Sequence, residues 1–288
     1  MSGLLHRMET DFFPWTRVSD DVIQISSHMF LAAMEESQIQ NIQVTAELQC
    51  QLVTIGWGHN SLHPFLRGPS GLGVIDKFCK QMKEIEKSAT SGQSVILTTG
   101  SHTQSFRTAV LLTGAYSILC KNASMEDIDA MAACVVPQVP DFDNGGEVFS
   151  VHDCWEALLV ARNNGWLDLV SDAPDYDTCI DLDEWAHYDA AANGRLHVVV
   201  PNELIVFPCP RDLPVDPSTG EMAAYLDAGS ERIFSARYFT GLLRDYDVGL
   251  VVQCDPGAVY DDSPFTQAGM AVERVAAAGR ESRPTLLL

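Results

Sequence analysis

Residues 94–120 hold the pattern that most narrows what this chain can become. Ser94-Val95-Ile96-Leu97-Thr98 is a short, continuous apolar run of strand length, and the polar stretch Thr99–Gln104 follows it. From about Ser105 to Cys120 the chain is apolar on nearly every face, with Phe106, Ala109, Val110, Leu111, Leu112, Ala115, Tyr116, Ile118 and Leu119 in close succession. A strand without polar alternation must be covered on both sides, and a helix apolar all round must be surrounded by other elements. The two joined by a tight turn predict a strand-loop-helix unit at the centre of an α/β domain.

The flanking sequence supplies partners for that unit. Asp21–Met34 and Ile42–Trp57 are rich in Val, Ile, Thr and Gln with partial alternation, which predicts strands. Gly68-Pro69-Ser70-Gly71 breaks the chain, and then Ile75, Phe78, Met82 and Ile85 recur at helical spacing with Asp76, Lys80, Glu84 and Lys87 on the face expected to be solvated. Ser124 with Asp127, and Ser150 ahead of Trp155, Leu158 and Leu159, open two further helices, with Pro137 and Pro140 stopping the first and Gly165 ending the second. Asp181 and Glu184 have capping-box spacing for a helix that closes at Asn193-Gly194. Beyond Gly194 a second unit begins: a strand pair over His197–Val200 and Glu203–Phe207, a proline-rich loop, a helix carrying Tyr238, Phe239, Leu242 and Leu243, and a strand at Gly249–Val252.

Charge limits the partners. The 39 acids against 18 bases give a formal −21, which repels nucleic acid and anionic membranes and favours proteins with basic surfaces. The segment 141–194 carries 13 of the acids against Arg162 alone, a net −12 and more than half the total. The eight cysteines form no C-x-x-C pair, so neither a zinc ribbon nor a secreted disulfide framework is expected, and the thiols read as reduced and mostly buried. Neither a signal-peptide run nor a stretch of about 20 apolar residues is present, so no membrane insertion is expected and the compartment is cytoplasmic or cytoskeletal.

The turn between the buried strand and the helix is the place where chemistry could sit. An anion is well bound there, and cysteine-dependent phosphatases use that position for a thiolate nucleophile, five cradling residues and a bidentate arginine, C-x5-R. Arg107 stands in place, but Ser101 occupies the nucleophile position and Gln104 sits where a tight loop prefers glycine. A serine hydroxyl needs a base, and the loop offers only His102. None of the eight cysteines has arginine six residues on; those positions hold Gly56, Ile85, Glu126, Pro140, Val160, Trp185, Val215 and Tyr260. The loop is therefore read as degenerate, with no catalytic residue.

Taken together, Ser94–Ser101 with Leu111–Tyr116, Phe65-Leu66-Arg67-Gly68-Pro69, Val139–Phe142, Asp153-Cys154, Ile180–Asp189, Asn193-Gly194 and Val200-Pro201 resemble, in order, the N-terminal non-catalytic domain of the Cdc-fourteen (cell-division-cycle fourteen) dual-specificity phosphatases. Asp247–Val252 and Phe265–Gly269 resemble the start of that family's catalytic domain. The resemblance implies a phosphatase-like mixed sheet flanked by helices, followed by a truncated second phosphatase-like unit. The corresponding divisions are an extension over 1–20, a dual-specificity-phosphatase-like domain over 21–195, and an incomplete unit with a tail over 196–288. The family's aspartate and His-Cys loops would lie past Leu288, so no residue here inherits a catalytic role. The family's acidic groove favours basic peptides, which makes Asp181, Asp183, Glu184 and Asp189 candidate binding residues, beside the simpler reading of a solvated face with capping residues.

The function expected is a catalytically inactive, phosphatase-like interaction or structural module in a multi-protein complex. The family's association with centrosomes, basal bodies and cilia suggests a microtubule-based one such as a flagellar axoneme. The alternatives are a dual-specificity phosphatase whose catalytic half is elsewhere, and a regulatory domain that binds basic phosphopeptides. No cofactor and no metal are expected: His152 and His187 read as packed or surface residues, Trp155, Trp166 and Trp185 as core aromatics, and Met29, Met34, Met82, Met125 and Met131 as gap-filling core residues.

Overall fold

The computed structural model describes residues 15–19, 21–34, 50–54, 71–88, 94–135, 139–143, 148–171, 175, 177–215, 217–229, 231–255 and 257–275. Most of the strand expected over 42–57, the Phe65–Pro69 motif, Pro137, Glu147, Asp172 and both termini lie outside them. The chain divides into two compact units, Met1–Leu182 and Asp183–Leu288.

The first unit is built on a five-stranded mixed sheet. Strands β1 (Thr16–Ser19), β2 (Val22–Gln24), β3 (Met29–Ala33) and β4 (Cys50–Thr54) are followed by helix α1 (Leu72–Ser88) and β5 (Ser94–Thr99). The order is β1-β2-β3-β5-β4, antiparallel through β3 and parallel from β3 to β5 and β4. The expected strand over 21–34 is thus a hairpin turning between Gln24 and Met29, and β1 lies within the stretch read from sequence as an extension. β5 sits between β3 and β4, with Leu31 opposite Leu97, and buries Val95, Leu97, Thr98 and Thr99 as its unbroken apolar run requires.

Helix α2 (Thr103–Lys121) follows, then α3 (Met125–Val135), the short pair β6 (Phe142–Asp143) and β7 (Val148–Phe149), and α4 (Val151–Asn163). α2 packs on β3, β5, α1, α3 and α4, and it buries every residue from Ala109 to Leu119. Each Leu or Ile so placed is worth about 1.5–3 kcal/mol, which makes this helix the core of the unit. Both sequence caps form. Asp127 Oδ2 accepts from the Ser124 amide and hydroxyl at 2.7 Å each, and Ser150 and Asp153 close a complete capping box on α4.

The segment 139–163 holds α2 at its middle and its C-terminal end. Trp155, fully buried on α4, donates Nε1–H to the Leu111 carbonyl at 3.1 Å and lies against Gly114, where a Cβ would meet the indole at 2.1 Å. At the end of α2, Asn122 turns left-handed (φ 57°), and Arg162 donates to the Ile118 and Ala123 carbonyls at 2.5 and 3.1 Å. The one base of the acidic tract is therefore a helix cap, placed where the helix dipole favours a cation.

Several expectations are corrected. Asp76, expected on the solvated face of α1, is buried, with Oδ2 on Lys80 at 2.8 Å and Oδ1 without a hydrogen-bond partner. It lies one helical turn before Cys79. Of the expected core residues, Trp155, Met29, Met82 and Met131 are fully buried, Trp166, Trp185 and Met34 are half-buried, and Met125 is exposed. Of the seven cysteines other than Cys50, only Cys79 and Cys179 are buried; all seven are free thiols, and Cys254 is exposed.

In the second unit, α5 (Leu182–Asp189) and a 3-10 turn (Ala191–Asn193) end at Gly194, whose φ of 103° only glycine adopts readily. Then come the hairpins β8 (His197–Val200)–β9 (Leu204–Val206) and β10 (Tyr225–Ala228)–β11 (Glu231–Phe234), helix α6 (Ala236–Asp245), β12 (Leu250–Gln253), α7 (Ser263–Gln267) and β13 (Ala271–Arg274). Leu196, Phe234, Phe239, Leu243, Val251, Tyr260, Phe265 and Met270 form its core. β12 and β13 are a two-stranded parallel sheet whose β12 leaves Leu250 and Val252 nearly half exposed. Parallel sheets normally have both faces covered.

Because α2 and Trp155 meet where Gly114 has no side chain, Gly114→Ala is expected to destabilise the first unit by about 3 kcal/mol, despite alanine's better helix propensity. Chemical denaturation of the purified chain measures this.

Candidate functional site

The strand-to-helix turn after β5 is short. Helix α2 begins at Thr103, and the Phe106 amide already donates to the His102 carbonyl at 3.0 Å, so only Gly100, Ser101 and His102 stand between strand and helix. The expected start at Ser105 and the expected turn over Thr99–Gln104 are both corrected by this: Thr99 belongs to the strand, and Gln104 to the first helical turn. Ser101 and Gln104 are exposed, and His102 occupies the N-cap position without a side-chain capping bond. A phosphate cradle needs about five residues whose amides converge on one point. Here four of the five residues between Ser101 and Arg107 are wound into the helix.

Arg107 points to the segment that precedes β6. Its guanidinium donates to the Asp141 carbonyl at 2.6 Å and reaches the Pro140 carbonyl at 3.5 Å, while Cζ lies 4.1 Å from the centre of the Phe142 ring. Nε is buried without a partner. Burial pulls the group below its ordinary pKa and the Asp141 carboxylate works against that pull; the side chain remains a cation. A planar fork that bonds carbonyls and stacks on a ring is the use for which arginine is suited and lysine is not.

The acidic tract is engaged at many points. Asp153 is held by Ser150, whose hydrogen bonds lower its pKa; Asp168 accepts from the amides of Val170 and Ser171, and Asp175 from that of Asp177. Of the four residues expected to bind a basic peptide, Asp181 precedes α5 in the first unit, and Asp183, Glu184 and Asp189 belong to the second. Glu184 accepts a short hydrogen bond from the Tyr246 hydroxyl, and Asp189 lies 3.6 Å from His197 Nε2. His197 also stacks on Trp185 with ring centres 4.4 Å apart, and both His197 Nδ1 and Trp185 Nε1 are buried without hydrogen-bond partners. Burial lowers the His197 pKa from its ordinary value, with Asp189 opposing.

One ligand set escaped the sequence reading. Glu156 lies four residues beyond His152 on α4, with Oε1 3.8 Å from Nδ1, and His152, Asp153 and Glu156 offer atoms within 4.8 Å of one another. Among the described residues, these three are the ones that could hold a metal. They already have partners: His152 Nε2 meets Asp129 at 2.9 Å, and Asp153 serves Ser150. His187 is exposed beside Tyr188. Among the described residues no helix is long and apolar enough to cross a membrane.

No family model matches the chain. Among curated proteins it is 26% identical over 209 residues to dual specificity protein phosphatase CDC14AB of Danio rerio, covering 70% of this chain and 31% of that protein. It is 24% identical over 208 residues to CDC14C of Homo sapiens, covering 70% and 42%, and 23% identical over 209 residues to human CDC14A, covering 70% and 32%. The chain is thus similar to Cdc-fourteen dual-specificity phosphatases over most of its length, as the collinear motifs implied, and the mixed α/β fold agrees with that similarity. It spans about a third to two fifths of the length of the relatives it matches.

If Arg107 serves the fold, Arg107→Ala destabilises the chain by about 1–2 kcal/mol and Arg107→Lys does not restore it, as read by thermal unfolding. His197 makes a separate prediction. Its folded pKa is depressed, so the unfolded state binds the extra proton first, and stability present above about pH 6.5 is lost as pH falls through the lower folded value. The melting temperature of the wild type should drop across that window more than that of His197→Phe, which keeps the stack without the titration.

Proposed function

We propose that this Cdc-fourteen-like chain is a catalytically inactive, phosphatase-like module that works by binding other proteins. The observation that carries the reading is the fate of the strand-to-helix turn. The stretch that would cradle a phosphate is helical from Thr103, the nucleophile position is Ser101, and the arginine that would clamp the anion is bonded to the Asp141 and Pro140 carbonyls. No cysteine among the 288 residues is followed by arginine at the sixth position. A serine in that place lacks the low-pKa thiolate on which the reaction depends.

The partners in this reading are proteins with basic surfaces, since segment 141–194 alone has a net charge of −12. Leu250 and Val252 on β12 add an apolar face of the kind that protein interfaces cover. By resemblance, the assembly is a larger, microtubule-based one such as a ciliary axoneme, with the chain in the cytoplasm or cytoskeleton. A second reading, in which the chain is the non-catalytic part of a dual-specificity phosphatase, is favoured by the names of the relatives, which are dual specificity protein phosphatases.

The purified chain is expected to release no phosphate from p-nitrophenyl phosphate or from phosphotyrosyl and phosphoseryl peptides above a heat-denatured control. Turnover lost in Ser101→Ala or Arg107→Ala would overturn the reading.

A further inference from the structure

Helices α3 and α4 set one histidine among carboxylates that the proposed function does not use. His152, in the first turn of α4, is half-buried, and its Nε2 meets Asp129 Oδ1 on α3 at 2.9 Å. A carboxylate can only accept, so the proton of that contact sits on Nε2, and the neutral imidazole keeps its lone pair on Nδ1. Nδ1 is turned toward Glu156 Oε1, one helical turn further along α4, at 3.8 Å, which is longer than a hydrogen bond. Asp153 brings a third group: His152, Asp153 and Glu156 offer ligand atoms within 4.8 Å of one another. Asp153 also accepts from the Ser150 amide and hydroxyl at 2.7 Å each, and a carboxylate has lone pairs enough for the cap and a further partner.

We propose that His152, Asp153 and Glu156 form a site for a divalent transition-metal cation of the zinc class, with Asp129 as the residue that positions the imidazole. A histidine that ligates a metal through one nitrogen commonly gives the N–H of the other to a carboxylate, which fixes the tautomer and makes the ligand more basic. The Asp129 contact supplies that half of the arrangement, and the gap between Nδ1 and Glu156 supplies the other. A cation about 2.0–2.2 Å from each ligand at tetrahedral angles holds them about 3.4 Å apart. The 3.8 Å separation comes within a small side-chain movement of that spacing.

Charge favours a cation here. From Asn122 to Ala161 the sequence has eight acids and no lysine or arginine. The three carboxylates of Asp129, Asp153 and Glu156 gather on one imidazole, which outweighs the partial positive charge at the start of α4. The donors select the metal: an imidazole nitrogen with carboxylate oxygens suits zinc or its neighbours in the transition series, whereas calcium and magnesium take oxygen alone. Three protein ligands leave the fourth position to water. The inference does not depend on whether the chain is a phosphatase.

The test titrates the reduced, metal-free full chain at neutral pH with zinc by calorimetry and with cobalt by absorption. The expected result is one zinc equivalent of micromolar or tighter affinity that is lost in His152→Ala, and the cobalt spectrum lost with it carries no thiolate band. Glu156→Gln, which keeps size and helix propensity on a half-exposed position, weakens the same equivalent. Asp129→Asn touches no metal yet lowers zinc affinity by about 10–100-fold, a readout that a purely structural contact would not move. Thermal unfolding without metal checks that each variant folds. Zinc binding unchanged in His152→Ala, a lost equivalent that carries the thiolate band, or nitrogen chemical shifts showing both His152 nitrogens protonated in the presence of zinc would overturn the proposal.

Discussion

The first unit depends on one close approach, the indole of Trp155 against the bare backbone of Gly114. α2 is apolar around its circumference and can be buried only if its neighbours come near enough to cover it. The missing side chain lets α4 do so, and Trp155 Nε1–H finds the Leu111 carbonyl at the point of contact. With α4 seated there, Arg162 near its end reaches the last carbonyls of α2. The chain that leads into α4 meanwhile passes the first turn of α2, where Arg107 takes the Asp141 carbonyl. One segment, 140–163, thus fastens the core helix at its start, its middle and its end.

That fastening explains what has become of the strand-to-helix turn. A phosphate loop holds its amides open and its arginine free until an anion arrives, which leaves polar groups unsatisfied in the empty state. Here the residues that follow His102 are wound into α2, and the guanidinium donates to carbonyls in the segment ahead of β6. The planar fork of Arg107, with Phe142 beneath it, suits that use.

Much of this was legible in residues 94–120, because an apolar strand followed by an apolar helix has few ways to be buried. The caps at Ser124 and Ser150 were equally readable, since a serine and an acid three residues apart satisfy each other locally. The hairpin of Tyr225–Ala228 with Glu231–Phe234 carried a usable signal, a Gly-Ser pair between short β-prone runs, and was hidden by the proline-rich stretch before it. Glu156 could have been found at four residues from His152. Other features needed tertiary structure. Periodicity put Asp76 on the wet face of α1, whereas the structure buries it with Lys80 as its partner. Spacing gave Arg107 a place in a motif but could not say which carbonyls it would meet. Trp185 proved half-buried because it stacks on His197 at the surface of the second unit.

The proposal that the turn after β5 does not serve as a phosphate site is tested most directly by titration with orthovanadate or phosphate, followed by amide chemical shifts. The account predicts no saturable change at residues 100–107 up to millimolar anion. A saturable shift centred on the amides between Ser101 and Arg107, accompanied by release of Arg107 from the Asp141 carbonyl, would contradict it.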